Sequence, residues 1–228
     1  KDIFRLRRQD IEANNLVFDN DFALSDEGVK FFVELDYQSR EEEPSEETLV
    51  AHARVCHSVV REYFPHNTDV SYWILTCTPK PKYLKDELHP IISSGAHIIF
   101  RNIVLTTDQC TQLANSVKLR LEVEFGLVDT VDMCYKKNMA SLRGIYCRKL
   151  ETCLDCLDDN EMRINCETCL CRGRVPSGSI YTASYLFDSD NKNMYPDVEA
   201  FDDYVRSNLE YVIGDTSIIP ESINLFTQ

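Results

Sequence analysis

Three acids, one histidine and a run of bases are the residues here whose types and spacing suit chemistry. Glu34 and Asp36 stand two apart at the end of KFFVELD, Lys30–Asp36. In a strand alternate side chains share a face, so both carboxylates point the same way. Two like charges side by side repel, and a divalent cation is the common remedy. Asp132 follows a hydrophobic approach of Leu127, Val128 and Val131, and it adds a third oxygen ligand from another strand. Three carboxylates with open positions suit Mg²⁺ or Mn²⁺, which retain waters and accept substrate phosphates. After Asp132 come Lys136, Lys137, Arg143, Arg148 and Lys149, with no further acid among them. A carboxylate followed by a cationic strip suits a site that holds metal ions and polyphosphate together. The plain alternative is solvated charge on strand faces. A second acid-x-acid pair, Asp19 and Asp21, lies beside Asn20 and reads as a turn.

Ser93, Ser94, Gly95 and Ala96 place small residues ahead of His97, which enters an apolar strand. Small residues let a phosphate approach the backbone, and an imidazole can hydrogen-bond a phosphate oxygen. A lone strand histidine is more often a satisfied core residue, and His52, His57, His66 and His89 read as ordinary.

The chain has ten cysteines. Cys56, Cys77, Cys110 and Cys134 are scattered in apolar contexts and read as reduced core residues of an intracellular protein. The other six crowd between Cys147 and Cys171. Cys153-x2-Cys156 and Cys166-x2-Cys169 are two paired turns of the kind that close a tetrahedral structural Zn²⁺ site. Cys171 or Cys147 is the alternate for Cys169. Arg163, Arg172 and Arg174 are available there for phosphate.

A net charge of −14 argues against nucleic acid until its distribution is read. Glu41, Glu42, Glu43, Glu46 and Glu47 carry five of the negative charges, and nine acids against Lys192 and Arg206 between Asp188 and Gln228 carry a net seven. The body is left near −2, free to carry a local basic surface. No apolar run is long enough to cross a membrane, no signal peptide is visible, and a start at Lys1 without methionine reads as a piece of something longer.

The elements that must position these groups follow from periodicity. An amphipathic basic helix is expected over Lys1–Asn15, then a buried strand over Lys30–Asp36 and an acidic linker over Ser39–Glu47. Ser45 and Thr48 begin a helix that ends before Pro65. Strands follow over Val70–Cys77 and Ala96–Val104, flanking a basic loop over Pro79–Lys85. A helix over Thr107–Phe125 has Leu113, Val117, Leu121 and Val123 as its apolar side and Thr107 or Asp108 as cap. A strand over Ile180–Phe187 and a terminal helix over Asp197–Val212, stopping at Gly214, complete the chain. This order indicates an α/β or α+β core with a mixed sheet, of which α+β is the expectation carried forward.

Taken together, VELD, GAH and VD resemble the three motifs of the archaeo-eukaryotic primase superfamily: acid-x-acid, small-x-His and hydrophobic-Asp. Arg143 and Lys149 stand at the spacing of the D…N.FR…K run in its primase-polymerase branch. The likeness covers roughly residues 30–149 and is nearest to the N-terminal primase domain of primase-helicases from nucleocytoplasmic large DNA viruses such as African swine fever virus. Three positions depart from it: Glu34 stands for the more usual Asp, Gly95 for Ser with Ser94 the substitute hydroxyl, and Ser93 for a frequent base.

The resemblance implies an RRM-like catalytic sheet plus an N-terminal α/β unit. It implies a catalytic domain over 1–187, with a zinc-knuckle insertion at about 147–175, and an acidic helical extension over 188–228. It implies a nucleotidyltransferase that makes or extends primers on single-stranded DNA during replication. Glu34, Asp36 and Asp132 would hold two Mg²⁺ or Mn²⁺ ions about 3.5–4 Å apart. Gly95, His97, Arg143 and Lys149, with Ser94, would bind the nucleoside triphosphate. Lys80, Lys82, Lys85, Arg5, Arg7 and Arg8 are candidate template contacts by charge. A helicase partner in the same full-length chain is expected, and since no GxxxxGK[ST] loop occurs here it must lie elsewhere. The alternatives are a non-catalytic zinc module that binds nucleic acid and a metal-dependent nuclease using the same acids. A rolling-circle nuclease is disfavoured because no His-x-His pair occurs.

Overall fold

The computed structural model describes residues 20–24, 28–40, 42–66, 68–82, 89–136, 139–143, 145–146, 148–153, 155–156, 166–168 and 174–218. The helix expected over Lys1–Asn15 lies outside them. In chain order the strands are β1 (Asn20–Leu24), β2 (Val29–Ser39), β3 (Tyr72–Cys77), β4 (Lys80–Lys82), β5 (Ile91–Leu105), β6 (Val131–Asp132), β7 (Tyr135–Lys136), β8 (Met139–Arg143), β9 (Arg148–Thr152) and β10 (Arg174–Phe187). The helices are α1 (Glu46–Tyr63), α2 (Thr107–Phe125), α3 (Val198–Ser207) and α4 (Leu209–Thr216).

The main sheet runs β6-β2-β5-β3-β10-β9, with β4 also paired to β5, and β1-β8-β7 form a smaller sheet. Every pairing among the described strands is antiparallel. The expected mixed sheet is therefore corrected to an antiparallel one. The reason is non-local: β2 and β3 run parallel, joined by α1, but β5 lies between them. Likewise β5 and β6 run parallel, joined by α2, with β2 between. Two interleaved βαβ units give the split β-α-β-β-α-β arrangement in which parallel strands are never adjacent. No separate N-terminal α/β unit stands apart from this sheet among the described residues.

β2 shows how the sequence prepares the site. Val29–Val33 are all buried, as in a strand covered on both faces, and from Glu34 the pattern alternates. Leu35 and Tyr37 face α1, where Tyr37 Oη lies 3.0 Å from His52 Nδ1. The opposite face opens at Glu34. Farther up that face α3 and α4 close it: Trp73 packs on Phe201 and Tyr204, and Lys30 Nζ donates to the carbonyls of Gly214 and Asp215.

Several local expectations are revised. Asp21 lies in β1, a strand rather than a turn, and Lys80–Lys82 form a strand rather than a loop. The cap of α2 is Thr106, because Thr106 and Gln109 bond each other's backbone in a full capping box, while Gly126 ends the helix in the left-handed region at φ 69°. Val123 is exposed: two residues past Leu121 it falls on the far side from the Leu113–Val117–Leu121 stripe. The terminal helix breaks at Asn208, whose side chain donates to the Tyr204 carbonyl, and α4 then runs through Gly214. Within the expected extension, Phe201, Val205, Leu209, Val212, Ile213 and Ile218 join the principal core.

One acid beside this core gives a pH prediction. Asp69 accepts bonds from the Ser71 amide, Ser189 Oγ and Asn102 Nδ2 at 2.9, 2.6 and 2.6 Å. Partial burial works to raise its carboxyl, but these bonds win and hold it at about 2 against an ordinary 3.8. The folded state thus binds the proton less readily than the unfolded chain, so this contribution is full above the ordinary value and fades as pH falls through it towards about 2. Denaturation midpoints measured down that range should fall more for the wild type than for Asp69→Asn.

Candidate active site and cysteine cluster

Strand register brings the three motifs into one row. Glu34 on β2 is paired with Asp132 on β6 on one side and with His97 on β5 on the other, and Asp36 is paired with Gly95. Directly opposed residues share a face, so the acids, the histidine and the glycine converge at the open end of the sheet. A cavity of about 440 Å³ lies over them; Glu34, Asp36, Asp132, Ser93, Ser94 and Gly95 line it together with Lys80, Lys82 and Arg143. Acid and base thus meet in one depression.

Burial works to raise the Glu34 carboxyl, but it is overcome. His97 Nε2 at 3.3 Å, the Cys134 thiol donating to Oε2 at 2.7 Å and the Arg143 charge hold it at about 2. Asp36 is shifted the other way, upward, by burial and then by the like charges of Glu34 and Asp132. A carboxylate crowded by two others is the electrostatic situation that a divalent cation relieves. The donor set fits such an ion: ligand atoms of Glu34, Asp132 and Cys134 lie within 4.8 Å of one another, with Asp36 outside that tightest group.

His97 departs from the expected phosphate contact. It is fully buried, its ring stacked on Tyr181 at 3.6 Å between centroids, and its Nδ1 has no hydrogen-bond partner among the described residues. It reaches the site through Glu34, not through the cavity. Arg143 lies over the other part of this stack, 4.6 Å from the Tyr181 ring centroid. Lys149 lies on β9, with its side chain outside the described residues, as are Lys85, Arg5, Arg7, Arg8, Arg163 and Arg172.

Tyr181 and Cys134 are site residues that sequence reasoning missed. Cys134 was expected in the core; it is half-buried with its sulfur on Glu34. Tyr181 explains why position 95 is a glycine. A Cβ there would lie 2.5 Å from Tyr181 Oη and 3.4 Å from Asp36 Oδ1. An isolated strand glycine is itself a sign of close approach by another group. Gly95→Ala should push Tyr181 off His97 and cost about 1–3 kcal/mol, read as a lowered denaturation midpoint.

Cys153, Cys156 and Cys166 are buried together, with Cys153 and Cys166 sulfurs 3.7 Å apart, and the group can hold a metal such as zinc. The pair Thr152↔Arg174 closes the base of this excursion between β9 and β10. Cys147, Cys169 and Cys171 lie outside the described residues. Metal analysis of the purified protein should find zinc that Cys153→Ser removes, and the variant should unfold at lower denaturant.

No protein-family model matches the chain, and no curated protein matches it.

Proposed function

We propose that this chain is a DNA primase or primase-polymerase domain, a nucleotidyltransferase acting on single-stranded DNA with nucleoside triphosphates. The observation that carries the reading is the row Asp132–Glu34–His97 across three adjacent strands, beneath a cavity that also presents Lys80, Lys82 and Arg143. Glu34, Asp36 and Asp132 would hold Mg²⁺ or Mn²⁺, which when bound supplies charge neutralisation at the transferring phosphate. Lys80, Lys82 and Arg143 neutralise the triphosphate oxygens and orient it. In the transfer, a 3′-hydroxyl gives up its proton to solvent as its oxygen bonds to the α-phosphorus, the bond from that phosphorus to the bridging oxygen breaks, and pyrophosphate departs with the electron pair.

His97 and Cys134 keep the Glu34 carboxylate ionised and oriented, and Tyr181 covers His97 and carries Arg143. The split βαβ sheet supports an RRM-like core, and the cysteine cluster supports a structural zinc knuckle. A helicase in the same full-length chain and an intracellular replication site belong to this reading. Template, labelled nucleotides and Mg²⁺ or Mn²⁺ test it. Lengthened products support it, shortened ones indicate a nuclease, and retardation without either indicates a binding module.

A further inference from the structure

We propose that Cys134 is a ligand of the carboxylate site, so that this site takes Zn²⁺, with Cd²⁺ as its spectroscopic stand-in, in preference to Mg²⁺. The inference rests on the reading of Glu34 and Asp132 as metal ligands and names the third donor. The tightest donor group is Glu34, Asp132 and Cys134, not the three acids. Cys134 follows Asp132 by two residues, and its sulfur lies 2.7 Å from Glu34 Oε2.

Cys77, the other thiol near the site, makes the contrast. Its sulfur accepts the Gly95 amide at 3.2 Å and is thereby engaged with the backbone. Cys134 instead aims its S–H at the Glu34 carboxylate, on the side that faces Asp132. That proton occupies the position a cation would take between sulfur and oxygen. When a divalent cation binds, the S–H bond breaks, the proton passes to solvent and the sulfur electron pair forms the metal bond. No electron changes hands. Mg²⁺ demands hard oxygen ligands in octahedral array, whereas a thiolate beside two carboxylates favours a softer ion of lower coordination number. Zn²⁺ at this site would displace the Mg²⁺ needed for transfer, so the same donor makes the enzyme zinc-sensitive.

Cadmium NMR of the full chain titrated with Cd²⁺ tests this. A signal of mixed sulfur and oxygen ligation should appear apart from that of the cysteine cluster. Cys134→Ser should abolish it and weaken that binding step at least roughly tenfold, while the cluster signal, unchanged, reports a folded variant. Cys134→Ala carries the same expectation. Mixed-ligand binding that survives both substitutions, or Cd²⁺ confined to the cluster, overturns the inference. The readout does not depend on catalysis. Binding through Cys134 without any nucleotide incorporation would sink the primase reading alone, and Mg²⁺-supported incorporation with Cd²⁺ binding indifferent to Cys134 would sink this inference alone.

Discussion

On the proposed reading, Asp132→Asn should lower nucleotide incorporation by roughly 10³-fold or more, the scale seen when a group that neutralises transition-state charge is removed. The same substitution leaves stability unchanged or slightly raised. Asp132 is exposed on a two-residue strand, and its charge pushes against Asp36. Removing one of three crowded carboxylates relieves repulsion in the metal-free protein, while on the proposed reading it takes away a ligand of the catalytic metal. Denaturation and extension assays on one preparation check both halves. If Asp132 were merely surface charge, neither reading would move. A fall in both would mean that Asp132 is a structural residue.

Asp215→Ala has the largest expected effect on stability, about 3–5 kcal/mol, the usual cost of breaking one side of a buried charged pair. Its Oδ2 accepts bonds from Trp73 Nε1 and Arg101 Nε, each at 2.6 Å, and only 9% of its side chain is exposed. Truncation leaves a buried indole N–H and a guanidinium without their acceptor, and loosens α4 from the sheet face that Lys30 also grips. Such a loss is a large share of the roughly 5–15 kcal/mol that holds an ordinary domain together. Asp215→Asn, which keeps an acceptor, should lose less. Urea titration measures both, and a loss below about 1 kcal/mol for the alanine variant would mean the pair behaves as a surface one.

How much of this was legible depended on whether the deciding interaction was local. KFFVELD announced β2 because a strand buried on both faces must be apolar throughout, and the switch to alternation at Glu34 marked where the sheet face opens. α2 was legible over its full length from helical spacing, with its cap placed one or two residues late. The order of the motifs placed Glu34, Asp36, Gly95 and Asp132 among the candidates, and register brings them together. What sequence could not give was pairing between distant segments. A strand-helix alternation is compatible with parallel neighbours or with a strand inserted between them, and only the register of β5 against β2 and β3 decides. For the same reason Tyr181 carried no signal of its own, and Cys134 read as one more core thiol. Only Gly95, a glycine inside an apolar strand, hinted that a large group pressed on it.

Soaking crystals of the full chain with Mn²⁺ and a nucleoside triphosphate tests the account at its centre. Anomalous density among Glu34, Asp36 and Asp132, with triphosphate density running towards Arg143, Lys80 and Lys82, is the predicted result. Manganese and nucleotide absent from that cavity, with metal found at the cysteine cluster alone, would contradict it.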